Sequence, residues 1–322
     1  MLLDSDPVVR TVCGDIAASW LEHTQCHEHI WLENGPSKDM NPALLMDDFG
    51  RSLEELKAYA AAGGSAIVDA QPGGFGGNGA ILQQLSRDSG VKIIAVTGFH
   101  RLIYLEAQDS LLEQSVGELT KRFIFDLKYG LRKGVRDETR LSAKAGIVKV
   151  ALEPDAFENA VYKRLFQAAA EAAMTVGAPV LVHTETKTDI LKLVRYFERL
   201  QIPANRLIVC HLDRTCPDPE YHRQVLAAGC YLCYDSIQRI KYITQEQELA
   251  LIECVCDSGY ERQLLLSLDT TNQRLHAYHG QDMGLDYILT KFIPMLKASG
   301  ISAERIGRMC IENAQNALQL KG

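Results

Sequence analysis

Gly146-Ile-Val-Lys-Val-Ala-Leu152 and Pro179-Val-Leu-Val-His-Thr-Glu185 are short apolar runs, and the segment between them, 157–176, has helical spacing. A strand, a helix and a second strand in that order is the signature of a βα unit wrapped around a parallel sheet. The pattern extends outward in both directions. Apolar runs bounded by turn residues stand at 23–29, 65–70, 92–99, 146–152, 179–185, 207–213, 230–235 and 264–271. Runs such as Ile208-Val-Cys210 and Leu264-Leu-Leu266 are continuously apolar rather than alternating, as strands covered on both faces require. Helical periodicity is clearest at 53–62, 157–176, 189–200, 219–228, 245–257 and 285–299, and a longer insert, 104–145, separates the third strand from the fourth. Gly63, Gly90, Gly177, Gly229 and Gly259 stand where helices close in a left-handed residue.

Eight strands in strict alternation with helices predict an α/β fold, a (β/α)8 TIM barrel occupying 1–322 as one domain. The alternative is an open doubly wound sheet, but its G-x-G-x-x-G fingerprint is missing after the first strand. The cluster Gly73-Gly-Phe-Gly-Gly77 lacks the Lys-Ser/Thr of a P-loop and reads as a flexible βα loop.

Composition narrows the function classes. The 322 residues are 47% hydrophobic and 23% charged, an ordinary balance for a globular enzyme. Net charge is -7, and no Lys/Arg run tracks a phosphate backbone, so nucleic acid is not the expected partner. Neither a signal peptide nor a membrane span of ~20 apolar residues is legible, which leaves a cytoplasmic protein with no membrane partner as the expectation. A homodimer acting on a small-molecule substrate is the expected assembly. The Cys230/Cys233 pair lies inside an apolar strand and Cys254/Cys256 has no companion motif, so the nine cysteines read as reduced, mostly buried thiols rather than a zinc knuckle.

Chemistry concentrates at strand ends. His27 and His29 are two apart on the first strand, so both imidazoles face one side of the sheet. His183, His211 and Asp269 fall at the carboxyl ends of strands five, six and eight, where barrel active sites are built. Imidazole plus carboxylate from four strands suits zinc and similar borderline ions, with manganese or cobalt as alternatives. Lys149 is the misfit: an ammonium inside an apolar strand is costly, and desolvation favours the neutral amine. That amine can react with carbon dioxide to give a carbamate, N6-carboxylysine, whose two oxygens can bridge two cations.

With these residues the sequence resembles the phosphotriesterase family of the amidohydrolase superfamily, specifically its lactonase-like branch. The matching segments are Cys26-His-Glu-His29, Lys144-Ala-Gly-Ile-Val-Lys149, Val182-His183, Ser267-Leu-Asp269, and the closing pair 286–294 and 312–314. The resemblance implies a binuclear metal centre at the carboxyl ends of the strands: His27, His29 and Asp269 on a more buried ion, His183 and His211 on a more exposed one, carbamylated Lys149 bridging them. It implies attack by a hydroxide shared between the ions, with Asp269 accepting its proton.

The sequence departs from the organophosphate-cleaving members. Their metal-bound aspartate is coupled through a histidine to a second aspartate, at places that look like Ser236 and Arg214 here. The proton shuttle is missing, and many relatives without it are lactonases, so by resemblance a lactone becomes the leading substrate class, ahead of a phosphoester or an amide, with a non-catalytic binding barrel as the remaining reading. Arg214, Arg239, Lys241 and Arg274 follow strands six to eight, which predicts an anionic or hydroxyl-rich substrate. Arg239 aligns with a substrate-binding lysine of sugar-phosphate lactonase relatives, whose further arginine and tyrosine look like Gln273 and His276 here. His100 and Arg101, after strand three, are further pocket candidates, whereas His23, His222 and His279 read as structural or solvent-exposed.

Overall fold

The computed structural model describes residues 7–107, 109–134, 137–280 and 282–321. A hairpin of β1 (Val8–Thr11) and β2 (Gly14–Ala17) precedes the barrel strands β3 (His23–Glu28), β4 (Gly64–Asp69) and β5 (Lys92–Gly98). A second hairpin, β6 (Arg132–Gly134) and β7 (Asp137–Arg140), comes before β8 (Ala145–Leu152), β9 (Val180–Thr184), β10 (Leu207–Cys210), β11 (Tyr231–Tyr234) and β12 (Leu264–Leu266). The eight barrel strands run β3-β4-β5-β8-β9-β10-β11-β12, and every neighbouring pair is parallel.

Alternation along the strands divides the core in two. Ile94, Ile147, Leu181, Ile208 and Leu265 fill the barrel interior, together with Val9 of the first hairpin, while Val148, Val150, Val180 and Val182 pack outward beneath the helices. Ile147 and Lys149 share the inward face, so Lys149 occupies the interior layer above the apolar one. Gly98 allows β5 to approach it there: with φ +100°, a Cβ on Gly98 would lie 2.1 Å from the Lys149 carbonyl oxygen.

The helix Ile190–Arg199 illustrates how the outer ring forms. Asp189 caps it by accepting from the Lys192 N–H at 2.9 Å, a contribution of about 1 kcal/mol. Ile190, Leu193, Val194 and Phe197, at helical spacing, are its buried stripe. It stops where Gln201 turns left-handed, φ 66°, ahead of Pro203.

The open-sheet alternative fails at the seam between β3 and β12. Asp269 N–H donates to the His27 carbonyl at 3.1 Å, and His27 N–H to Ser267 Oγ at 2.8 Å. The carboxylate of Glu28 accepts from Leu268 N–H (2.7 Å), Thr270 N–H (3.1 Å) and Thr270 Oγ1 (2.9 Å), tying one edge to the other.

Several boundaries differ from the sequence reading. Strand β10 ends at Cys210 and β12 at Leu266, short of the expected 213 and 271, because His211 (φ 69°) and Asp269 (φ 48°) turn left-handed just beyond. The insert 104–145 contains a barrel helix, Val116–Lys128, which buries Leu119, Phe123 and Leu127. The expected helix 285–299 is interrupted by a π turn at Ile288–Phe292. The Gly73–Phe75 segment is a 3-10 turn that buries Phe75. All nine cysteines are free thiols, six of them buried. Among the described residues no helix is long and apolar enough to cross a membrane.

Candidate active site

The six proposed ligands gather at the carboxyl ends of β3, β8, β9, β10 and β12. His27, Lys149 and His211 have no exposure, and His29, His183 and Asp269 are nearly as buried. His27 and His29 lie with ring centroids 5.5 Å apart, and a register shift in β3 between Gln25 and Glu28 accommodates them. One donor group is His27, His29 and Asp269: Asp269 Oδ1 is 3.3 Å from His29 Nε2 and 3.8 Å from His27 Nε2. Lys149 Nζ sits 3.1 Å from His27 Nε2. A second group, His27, Cys210 and Asp235, is also close enough to hold an ion. Its His27 and Asp235 atoms, however, already hydrogen-bond to each other.

Asp235, just past β11 and fully buried, organises the histidines. Its Oδ2 is 2.9 Å from His27 Nδ1 and its Oδ1 is 2.7 Å from His211 Nδ1. Each ring is therefore held by Nδ1 and presents Nε2 to the site, the arrangement carboxylates impose on metal-binding histidines. The sequence reading missed Asp235, although it ends the apolar run 230–235 by the same rule that selected His183.

These contacts test whether cations fit. Burial holds the His183 ring well below its ordinary pKa and His211 down to about 3, so both are neutral. His211 gives its single N–H to Asp235, and His183 gives its own, at Nε2, to Glu185 Oε1 at 2.9 Å. The nitrogens left bare, His183 Nδ1 and His211 Nε2, face each other at 2.8 Å. Two lone pairs at that distance repel unless a positive charge lies between or beside them. On the other side, burial pushes the Lys149 amine down, while Cys210 and Asp235 lift His27 to about 9 against its burial and the nearby Lys149. The two compete for one positive charge. Facing lone pairs on one side, an imidazole and an amine sharing one proton on the other, and His29 Nδ1 buried and unpartnered make a donor set that fits divalent cations.

A cavity of about 240 Å³ opens above this layer. His100, Arg101, Arg214 and Arg239 line it, joined by Tyr104 and Tyr242. Arg214 Nη1 reaches Asp269 Oδ2 at 2.8 Å, and Arg239 Nη2 reaches the same oxygen at 3.1 Å and the Asp269 carbonyl. Burial alone would raise the Asp269 carboxyl, but these two guanidiniums hold it well below the usual range. The Arg214 guanidinium also lies over the Tyr242 ring, 5.4 Å from its centroid.

The family model described as Phosphotriesterase family matches residues 7–318. The chain belongs to the phosphotriesterase family. A phospho-furanose lactonase of Mycoplasmopsis synoviae is 29% identical over 324 residues, covering 96% of this chain and 91% of the relative. Among solved structures, an amidohydrolase from Mycoplasma synoviae superposes with TM-score 0.92 at 27% identity, covering 98% of this chain and 93% of that one. A lactonase from Listeria monocytogenes superposes with TM-score 0.88 at 26% identity, covering 98% and 100%.

Not every candidate of this phosphotriesterase-family chain meets the cavity. Lys241 is outside its wall and exposed, its amine 5.2 Å from the Tyr242 ring centre. Arg274 lies behind the wall: it donates to the Ile237 carbonyl at 2.6 Å, and burial lowers its pKa to about 9, with help from Arg239. Gln273 and His276 are exposed and are not part of the lining. Arg101 is in the lining but already paired with Glu153 (2.8 Å) and Glu185 (2.9 Å). His100 accepts from the Arg101 N–H at Nδ1, 2.8 Å, and stacks near His183 with centroids 4.7 Å apart.

Glu28, between the two histidines of the motif, was also missed. Burial lifts its carboxyl to about 7 against the three donors that pull it down. Those donors belong to Leu268 and Thr270, on either side of Asp269, so Glu28 fixes the turn that aims this side chain. Glu28→Ala strands two buried N–H groups at about 1–3 kcal/mol each, so a loss of roughly 2–6 kcal/mol in denaturant unfolding is expected. An unchanged midpoint would show that the seam does not depend on Glu28.

Proposed function

We propose that this phosphotriesterase-family hydrolase is a metal-dependent lactonase that opens a sugar-type or anionic lactone. The observation that carries the reading is the pair Arg214 and Arg239, whose guanidiniums meet over Asp269 on the cavity wall. Arg214 and Ser236 also occupy the places where a triester-cleaving site would need an acid and a histidine. The relatives named as lactonases support the same choice.

Two divalent ions, of zinc, manganese or cobalt, would be held by His27, His29 and Asp269 and by His183 and His211, with Lys149 as its carbamate between them. When bound, they supply Lewis acidity and make a water nucleophilic at neutral pH. The chain's own groups do the rest. Asp235 keeps His27 and His211 in the required tautomer. Asp269 accepts the proton of the attacking water at Oδ2. In the free protein that oxygen is engaged by two guanidiniums, and a substrate carboxylate or phosphate that pairs with Arg239 draws one of them away. The ester C–O bond to the ring oxygen breaks, the departing alkoxide takes up the proton held on Asp269, and the product is a hydroxy acid.

The test is a panel of aldonolactones, acyl lactones, aryl phosphotriesters and N-acyl amino acids. A lactone with an anionic or polyhydroxyl tail is expected to give the highest kcat/KM. If a phosphotriester or an amide leads instead, the phosphoester or amide hydrolase reading replaces this one. Arg239→Met keeps the stem and removes the fork. A charged contact of about 1.5–3 kcal/mol corresponds to a roughly ten- to two-hundred-fold loss in kcat/KM for the anionic lactone. The neutral analogue should lose much less. An equal effect on both substrates would reduce Arg239 to a partner of Asp269.

A further inference from the structure

We propose that Glu185 is a positioning residue for the more exposed ion: it holds the His183 ring so that Nδ1 faces His211, and Arg101, Glu153 and Tyr162 hold Glu185 in turn. The inference rests on the reading of His183 and His211 as ligands.

The local structure explains why residue 185 can do this. Period two along β9 puts residues 183 and 185 on one side, and the strand's pairing continues one step past its end, with Glu185 N–H donating to the Leu152 carbonyl at 3.2 Å. Thr184 Oγ1 donates to the Cys210 carbonyl at 2.7 Å, fixing β9 against β10, and Thr188 Oγ1 donates to the Glu185 carbonyl at 2.7 Å. The backbone on either side of the carboxylate is thereby pinned. Glu185 Oε1 accepts from His183 Nε2 at 2.9 Å and from Arg101 Nη1 at 2.9 Å.

An isolated surface pair of glutamate and arginine would contribute little. This one is not isolated. Arg101 also donates through Nε to Glu153 Oε1 at 2.9 Å, and the other oxygen of Glu153 accepts from the Tyr162 hydroxyl. The chain of contacts runs from a side chain of the outer helix Ala160–Val176 to a ring in the barrel mouth, through residues that follow β5, β8 and β9. It gives Arg101 a role other than substrate capture, since its charge is matched by two carboxylates. An anionic substrate group is left to Arg214 and Arg239, on the half of the mouth formed by β10 to β12.

His183 needs such a partner more than His27 and His211 do. His27 and His211 share the fully buried Asp235, which holds both by Nδ1. Without Glu185, the His183 N–H has no acceptor, and the ring can flip to put its proton toward His211. A carboxylate partner of a ligand histidine typically changes metal affinity by about 10–100-fold.

The experiment uses the full-length protein, stripped of metal and titrated with Co²⁺ in bicarbonate buffer. The wild type is expected to take two ions, counted by elemental analysis, each with its own visible absorption band. In Glu185→Ala the first equivalent should bind as in the wild type. The second should weaken by roughly 10–100-fold, with its band shifted. Glu185→Gln, which still offers an oxygen to the His183 N–H, should recover most of that affinity. Glu185→Asp, too short to reach the ring, should behave like alanine and serves if the alanine variant does not fold. A second equivalent that binds Glu185→Ala and Glu185→Asp as tightly as the wild type overturns the proposal and leaves the two-ion reading intact. A wild type that takes fewer than two ions overturns both.

Discussion

Asp269→Asn is expected to lower kcat by about 10²–10⁴-fold on the best lactone, the range that a positioned general base supplies, while much of the bound metal is retained. The expectation follows from the two faces of this carboxylate. Oδ1 points at His29 and His27, and Oδ2 at Arg214 and Arg239. An amide has only one oxygen. If it keeps that oxygen toward the histidines, its NH2 meets two guanidinium donors; if it turns over, the NH2 points at the proposed ion. In neither orientation can it take a proton from water. Steady-state kinetics with parallel elemental analysis decides the matter. A kcat within about threefold of wild type at full metal content would leave Asp269 a ligand only, since such a change is under 1 kcal/mol. A loss confined to KM would make it a binding residue.

The parts of this site that were legible in the sequence are those governed by strand period. His27, His29, Lys149 and His183 lie on or beside strands whose alternation fixes the side of each residue, and the apolar runs located those strands. His211 and Asp269 also stand at the mouth where the sequence placed them, but for a reason beyond strand period. Both sit beyond their strands in left-handed backbone, a conformation in which histidine and aspartate are enriched among non-glycine residues but still uncommon, so neither residue marks it in sequence as glycine does. The loops obey no period. Arg214, Arg239, Lys241 and Arg274 looked equivalent in sequence, yet two reach the cavity, one is exposed beside Tyr242 and one is half-buried behind the wall. The same holds for Arg101, whose neutralisation by Glu153 and Glu185 depends on three loops that only the closed barrel brings together. Asp235 and Glu28 were passed over because a carboxylate that orients a ligand carries the same sequence signal as one that binds solvent.

The second large effect concerns Lys149, where stability and function are expected to move in opposite directions. The side chain has no exposure, its amine has no carboxylate within hydrogen-bond reach among the described residues, and it hydrogen-bonds to His27 Nε2 at 3.1 Å. Folding therefore removes an amine from water with little return in the metal-free protein, and a buried polar group so poorly compensated costs about 1–3 kcal/mol that an apolar side chain of similar volume avoids. Lys149→Met should accordingly unfold at a higher temperature than the wild type when both are stripped of metal, yet hold fewer than two ions and turn over lactone orders of magnitude more slowly. Lys149→Ala should lose activity as well, and it leaves a space that a small acid can enter. Acetate or propionate, supplying the two oxygens that a carbamate on Lys149 would provide, should restore part of the activity and the second ion to Lys149→Ala, but not to Lys149→Met, whose stem fills the space. Full activity of Lys149→Ala without added acid would make the lysine structural. A metal-free Lys149→Met less stable than the wild type would mean that the amine's contact with His27 outweighs its desolvation, and that Lys149 is retained for the fold rather than for the ions.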